Sequence, residues 1–545
     1  MRFSYLLHKS ALLFLGIGAA TAVDAAAEVR LPAVLSDGVV LQRDEPVKIW
    51  GTASPGEQVD VSLASRKAST TADASGRWTV TLKPVKAGGP YTLKANNAVA
   101  EDVLVGDIYL CSGQSNMELP IGRVLDMFAD EVAAYENRNI REFKTPKEYA
   151  FHGARENVSP AEWKSVTPDK VNSWGALTYF IAKKLYEKNG GVPVGIVNSS
   201  WGGSKIETWI SEEGLAAWPE RLHRLRVNEN DAYRDMLSKA ERKAQWLWDS
   251  TLRATDAGYA SPLKWSDPAL DDSSWESVEL LDDSWGKKAG RAVNGSHWLR
   301  RKFTVPASKA GQSAVLRLGC IVDADSAWIN GQYVGNITYQ YPPRVYKVPA
   351  GLLREGENSV VVRVTSYSGA PHVVAEKPHK VLFADGEEIS LEGKWLHRLG
   401  SRMGQAPAVT DFFQNPTVLY NGLIAPMADL PFRGVVWYQG ESDVDINDTY
   451  ADLMKALISD WRRTFGNQQL PFYIVELADF LHPSDVAGRA EWQKMRDAQR
   501  RAADETNGAK WILNSDNGEW NDIHPLDKKT PGTRVAEAIL TNANR

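Results

Sequence analysis

The chain has 545 residues, 43% of them hydrophobic and 24% charged, with a net charge of −5 at neutral pH. That length exceeds a single hydrophobic core and implies roughly three domains, while the small net charge leaves no footprint for nucleic acid or for an anionic membrane surface. Two cysteines, Cys111 and Cys320, lie too far apart for a disulfide framework and read as small buried hydrophobes.

The N-terminus sets Arg2 and Lys9 ahead of an apolar run from Ala11 to Val23, with small residues at Ala25 to Ala27. This is the pattern of a secretory signal peptide over residues 1–27, and it predicts a periplasmic or secreted protein. No later stretch has the ~20 apolar residues of a membrane span. Residues 28–104 read as short alternating strands, EPVKIWGTA, EQVDVSLA, GRWTVTLKP and GPYTLKAN, separated by SPGE and ASGR turns, and predict a small β-sandwich. From Val105 the pattern changes to apolar strands alternating with helices: DIYLCS, ALTYFIAKKLYEKN, VGIVNSS, then RGVVWYQG, PFYIVELA and KWILNSD. Apolar runs of that kind predict an α/β fold with a parallel sheet covered on both faces.

That fold is interrupted. A polar helical region follows Trp209, and residues 256–399 turn strand-rich, with HWLRRKFTV, SAVLRLG and an Asn-Gly hairpin in INGQYVG. A loop of this length needs its own core, so the segment is expected to be an inserted β domain. The α/β fold would then comprise residues 105–255 and 400–545. Most of the 20 tryptophans are expected in the cores, with some as platforms for sugar rings.

Four motifs follow predicted parallel strands, at the edge where open α/β sheets bind ligands. They are GQSNM with Ser115, SSWGGSKIETW with Gly202 and Gly203, WYQGESD with Gln439 and Glu441, and DNGEWNDIHP with Asp522 and His524. A serine becomes a nucleophile at neutral pH when a histidine takes its proton and a carboxylate orients the ring. Acyl transfer also needs donors for the oxyanion, which glycine turns and a side-chain amide supply. Taken singly, each motif is an ordinary turn or cap, and Glu441 reads as a helix cap. Their joint placement carries the chemical reading. His482 in FLHPSD is the rival base, but it lacks a neighbouring glycine turn and lies one strand too early.

In order and spacing, CSGQSNM, NSSWGGSKIETW, VVWYQGESD and DIHP resemble the sialate O-acetylesterase family of SGNH-type hydrolases. The insert, in HWLRRKFTVP and DADSAWINGQYVG, is similar to the sugar-binding jelly-roll of β-galactosidase-type glycosidases. The resemblance implies a three-layer SGNH fold, Ser115 as nucleophile and His524 as general base. It implies an oxyanion hole from the backbone N–H of Ser115, that of Gly203 or its neighbour Gly202, and the Gln439 amide. The wider superfamily places its acid three residues before the histidine, where this chain has Asn521. Either Asp522 orients His524 through a shifted loop, or the acid comes from elsewhere and the pair works largely as a dyad. No metal or other cofactor is implied.

The implied activity is hydrolysis of acetyl esters on sugars through an acetyl-enzyme, with a sialoglycan or another acetylated oligosaccharide as substrate. A hemicellulose such as xylan or xyloglucan is the alternative. The tyrosines of TYQYPPRVY, Thr338 to Tyr346, either extend the cleft for an oligosaccharide or pack the domain interface. A carbohydrate-binding protein without catalysis is the reading from another class. A glycosidase would need two carboxylates facing one bond, and no segment supplies such a pair better than it supplies the serine site. The oligomeric state is not legible.

Overall fold

The computed structural model describes residues 28–543, so the expected signal peptide lies outside the described residues. Its central feature is a sheet whose strands run, across the sheet, Ala509–Ile512, Phe472–Val475, Gly434–Tyr438, Ala98–Gly113, Val194–Ser200 and Asn137–Lys144. These six are parallel neighbours, and Trp163–Val166 adds an antiparallel edge. The strands Val194–Ser200, Gly434–Tyr438 and Phe472–Val475 are buried at every residue, as continuous apolar runs between helical layers require. Two helix pairs pack together over the sheet, Ala176–Lys188 with Lys529–Ala543 and Asn447–Thr464 with Val486–Asp504.

The boundary expected between residues 104 and 105 falls inside one strand. Ala98–Gly113 is 16 residues long. Its first half pairs with Gly88–Ala95 and Val40–Gln42 in the N-terminal β layer, and its second half is the centre of the parallel sheet. Val59, Leu93 and Val103 therefore share a single core with Ile196, Val436 and Leu457.

The insert has its own core. A six-stranded sheet, including Asn294–Val305, Gly356–Ser366 and Lys394–Met403, faces a four-stranded one around Ala314–Leu318, and Leu299, Val362, Leu316 and Phe383 pack in between. Its first strand, Glu276–Glu279, pairs with its last, so the chain leaves beside the point where it entered. The last strand runs to Met403, past the expected boundary at 399. Asp256 marks the entrance. It is fully buried, and its carboxylate accepts hydrogen bonds from Gly258 N at 2.9 Å, Trp298 Nε1 at 2.9 Å and Arg363 Nε at 2.7 Å. Among the described residues no helix is long and apolar enough to cross a membrane.

The parallel register sets Gly113 opposite both Ser200 and Tyr438, so three strands end at one level. Gly113 has φ +134°, and a β-carbon there would stand 2.1 Å from the Tyr438 carbonyl oxygen. Replacing Gly113 with alanine combines backbone strain with overpacking, and is expected to cost about 3 kcal/mol or more. Urea unfolding of Gly113→Ala against wild type checks this, with a lowered transition midpoint as the expected outcome.

Candidate active site

After Gly113 the chain turns through Gln114 into a short helix, Ser115–Glu118, which lifts Ser115 to the end of the sheet. The turn is tied on both sides: Gln114 N donates to Tyr438 O at 3.0 Å and Trp201 N to Gly113 O at 3.0 Å. The Gln114 side chain reaches across the same gap, its Oε1 accepting from Gly440 N at 3.3 Å and Ser442 N at 3.2 Å. Its Nε2 has no protein partner among the described residues, and Gln114 lines the cavity in front of Ser115.

In the glycine turn after Val194–Ser200 the two backbone N–H groups differ. Gly202 N–H is occupied by Glu118 Oε2 at 2.6 Å. Gly203, at φ +79°, has no acceptor for its N–H among the described residues, while its carbonyl accepts from Gln414 Nε2 at 3.2 Å. Trp201 stacks on Phe413 with centroids 4.8 Å apart, which pins the turn to the chain returning from the insert.

His524 lies on a loop held from two directions. From the hydrolase side, Asn116 Nδ2 donates to Ile523 O at 2.9 Å. From the insert, Asn521 Nδ2 donates to Ala375 O at 2.8 Å, Trp520 Nε1 to Glu376 Oε2 at 2.9 Å, and Lys377 pairs with Glu519 and lies 3.5 Å from Asp522 Oδ2. The Tyr341 ring meets the imidazole edge-on at 5.1 Å. Tyr341 is itself fixed by a fully buried arginine: Arg344 donates to the carbonyls of Gln340, Pro342, Ile321 and Asp323 and pairs with Asp325 at 2.7 Å.

A cavity of about 570 Å³ brings these parts together. Ser115, Gly203 and His524 line it, with Gln114, Glu441 and Ser442 beside them and the cations Arg123, Lys144 and Lys147 along the rim. Tyr339 and Tyr341 are its walls from the insert, 52% and 40% exposed, with Tyr341 also meeting His524 across the domain interface, while Tyr346 is buried in the core of the insert. No hydrogen bond directly joins Ser115 to His524 among those the described residues make. Burial pushes the imidazole down to about 3, and Lys528 and Arg123 push in the same direction. Burial also lowers Lys528 to about 8, against the pull of Asp522, Glu441 and Glu519.

Two expected roles meet a different geometry. Gln439 is fully buried and does not reach the cavity. Its Nε2 donates to Ser204 O at 3.0 Å and Asp443 Oδ2 at 2.7 Å, and its Oε1 accepts from Tyr450 at 2.9 Å. The amide facing the cavity is that of Gln114. It stands inside the GQSNM motif next to Ser115, a signal that the sequence offers without a role attached. Asp522 accepts the backbone N–H of His524 at 2.8 Å rather than the ring, and His524 Nδ1 is enclosed with no partner among the described residues.

The rival His482 is exposed, bonded to Ser484 at 2.6 Å and set edge-on to Trp520, away from the cavity. Both cysteines are buried and free, and burial raises the Cys320 thiol to about 11. Glu441 does not cap the helix that follows GESDVD, Asn447–Thr464, whose N-cap position is Ile446; its carboxylate accepts from Asn116. Among the described residues no three His, Cys, Asp or Glu side chains are grouped to hold a metal ion.

Residues 105–254 and 406–532, just over half of the chain, match the family described as carbohydrate esterase, sialic acid-specific acetylesterase. Residues 228–385 match the sugar binding domain of glycosyl hydrolases family 2. The sialate O-acetylesterase of Mus musculus is 30% identical over 211 residues, covering 34% of this chain and 38% of that protein. The Rattus norvegicus enzyme is 31% identical over 216 residues, with the same two coverages. The match thus spans under two fifths of the length of these curated relatives. A carbohydrate acetylesterase from Xanthomonas citri shares the fold, with a TM-score of 0.55 at 24% identity over 94% of this chain and 74% of its own. With more than half of its residues matched, and with the family's motifs meeting in one cavity, the chain belongs to the carbohydrate esterase family of sialic acid-specific acetylesterases.

Proposed function

We propose that the protein is a serine-dependent carbohydrate O-acetylesterase, with Ser115 as nucleophile and His524 as general base. The observation that carries this reading is the meeting of Ser115, Gly203 and His524 on one cavity wall, from segments some 400 residues apart. His524 Nε2 takes the Ser115 proton while Oγ bonds to the acetyl carbon, giving a tetrahedral oxyanion. The oxyanion is received by the N–H groups of Ser115 and Gly203 and by the Gln114 amide. Collapse breaks the ester bond, and the sugar oxygen leaves with the proton from the imidazolium. Water, deprotonated by His524, then releases acetate and restores the serine. Asp522 shapes the loop through the His524 backbone.

An oligosaccharide is favoured as the alcohol part of the ester by the exposed rings of Tyr339 and Tyr341. They offer an apolar surface to the C–H face of a pyranose beyond the acetylated one. Sialoglycans and acetylated hemicelluloses both meet that requirement. Acetate release from acetylated sialosides, xylan and xyloglucan separates the two by kcat/KM. On every substrate, and on an aryl acetate, Ser115→Ala and His524→Ala are each expected to lose at least about 10³-fold in rate. Wild-type rates in the serine variant would end the proposal.

The two glutamines are expected to behave oppositely. Gln114→Ala removes an oxyanion donor and is expected to lower kcat by about 10²–10³-fold with a nearly native thermal midpoint. Gln439→Ala strands the Ser204 carbonyl and Asp443 in a buried network, and is expected to cost about 2 kcal/mol of stability. Thermal denaturation alongside aryl acetate kinetics for both variants reads out the difference.

A further inference from the structure

A carboxylate beside an oxyanion hole opposes the charge that the hole receives. Glu118 is such a group. It ends the short helix Ser115–Glu118 and lines the cavity with Ser115, Gly203 and Gln114. A β-carbon placed on Gly202 would stand 3.2 Å from Glu118 Oε2 and 3.3 Å from the β-carbon of Ser115, so the carboxylate lies close to the nucleophile.

The hydrogen bonds of the glycine turn give that carboxylate a task. Trp201 to Ser204 form a four-residue turn closed by the Ser204 N–H on the Trp201 carbonyl at 3.2 Å, with Gly203 at φ +79° in its third position, as a type II turn requires. The peptide between Gly202 and Gly203 carries the Gly203 N–H. It is the central peptide of the turn, the one free to flip when both middle residues are glycine. Its neighbours are anchored: Glu118 Oε2 accepts the Gly202 N–H at 2.6 Å on one side, and Gln414 Nε2 donates to the Gly203 carbonyl at 3.2 Å on the other. Held at both ends, the middle peptide has little freedom to turn.

Glu118 is held in its turn. Its Oε1 pairs with Lys147 Nζ at 2.7 Å, and Lys144 Nζ donates to its main-chain carbonyl at 3.1 Å. Lys147 also stands 5.6 Å over the Trp201 ring, so one ammonium faces both the carboxylate and the first residue of the turn. We propose that Glu118 is a positioning residue of the active site: its carboxylate, neutralised by Lys147, holds the Gly202 N–H and so keeps the Gly203 N–H aimed at the oxyanion formed on Ser115. This rests on the reading of Ser115 as nucleophile and Gly203 as oxyanion donor. The same bond takes Gly202 out of the hole, and the ammonium cancels the negative charge that the carboxylate would otherwise set against the intermediate.

The test compares Glu118→Ala, Glu118→Gln and Lys147→Met with wild type on an aryl acetate. It also measures inhibition by methylboronic acid, whose adduct with a serine hydroxyl is tetrahedral and anionic like the acetyl intermediate. Glu118→Ala is expected to lower kcat by about 10–10²-fold with KM within about threefold, and to weaken the boronic acid by the same factor. A loss confined to stability or to substrate binding would not move both. Glu118→Gln keeps an oxygen for the Gly202 N–H and carries no charge, and should stay within about threefold of wild type in both readouts. Lys147→Met leaves the carboxylate uncompensated and should lose about 5–10-fold, a loss that combining it with Glu118→Gln should abolish.

The assignment is overturned if Glu118→Ala keeps kcat within about threefold of wild type, if its kcat falls while boronic acid inhibition is unchanged, or if Glu118→Gln is as impaired as Glu118→Ala. Should the alanine variant fail to fold, Lys147→Met at the exposed rim decides the matter: weakened boronic acid inhibition that Glu118→Gln relieves supports Glu118, and wild-type inhibition overturns it. An inactive Ser115→Ala beside a fully active Glu118→Ala would remove only this assignment. An active Ser115→Ala would remove the esterase reading itself.

Discussion

No side chain fits between the α-carbon of Gly113 and the carbonyl of Tyr438, and the rest of the active-site architecture depends on that approach. It lets the central strand lie against its neighbour to the last residue, so the parallel register carries Gly113, Ser200 and Tyr438 to one level. The segments that leave the three strand ends must then emerge at the same height: Gln114 and Ser115 from one, Trp201 to Gly203 from the next, Gln439 to Glu441 from the third. The hydrogen bonds from Gln114 N and Trp201 N across the strand ends leave these segments little freedom to drift apart.

The histidine comes from the loop after the edge strand Ala509–Ile512, three strands from the centre, and the sheet alone does not hold it. The insert completes that support. Ala375, Glu376 and Lys377 each hold one or more residues between Glu519 and Asp522, while Arg344 braces the loop that presents Tyr341 to the imidazole. The buried guanidinium of Arg344 is matched by four carbonyls and one carboxylate, the arrangement in which a buried charge is tolerated and its surroundings become rigid. A domain able to form its own core has thus become a wall of the site.

Much of this was legible in local pattern. Continuous apolar runs announced the parallel strands, the Asn-Gly turn marked a hairpin in the insert, and the glycine motifs pointed to the sheet edge. The boundary near residue 104 was not legible, because the N-terminal layer and the parallel sheet are two halves of one strand and no turn signal separates them. The division of labour among the polar residues was hidden for another reason. Gln114 and Gln439 both come directly after a strand, and the burial that sends one amide into Asp443 and Ser204 while leaving the other at the cavity arises only after folding. The grip of residues 375–377 on the histidine loop, across more than 140 residues of chain, has no local signature at all.

The electrostatics of the cavity arise from the same enclosure. Burial with Arg123 and Lys528 holds the His524 imidazole near 3, which keeps the ring neutral. A positive charge on that ring would be opposed by the same cations unless negative charge offsets them. Two carboxylates, Glu519 and Asp522, lie on the histidine loop, and a third, Glu441, lines the same cavity. Glu519 and Asp522 are already countered by Lys377, and both oxygens of Asp522 are engaged. Glu441 keeps Oε2 enclosed and without a hydrogen-bond partner among the described residues, and burial raises its carboxyl while Asn116 and Lys528 oppose that shift. Position in the fold, rather than distance along the chain, thus sets which carboxylates around the ring are countered.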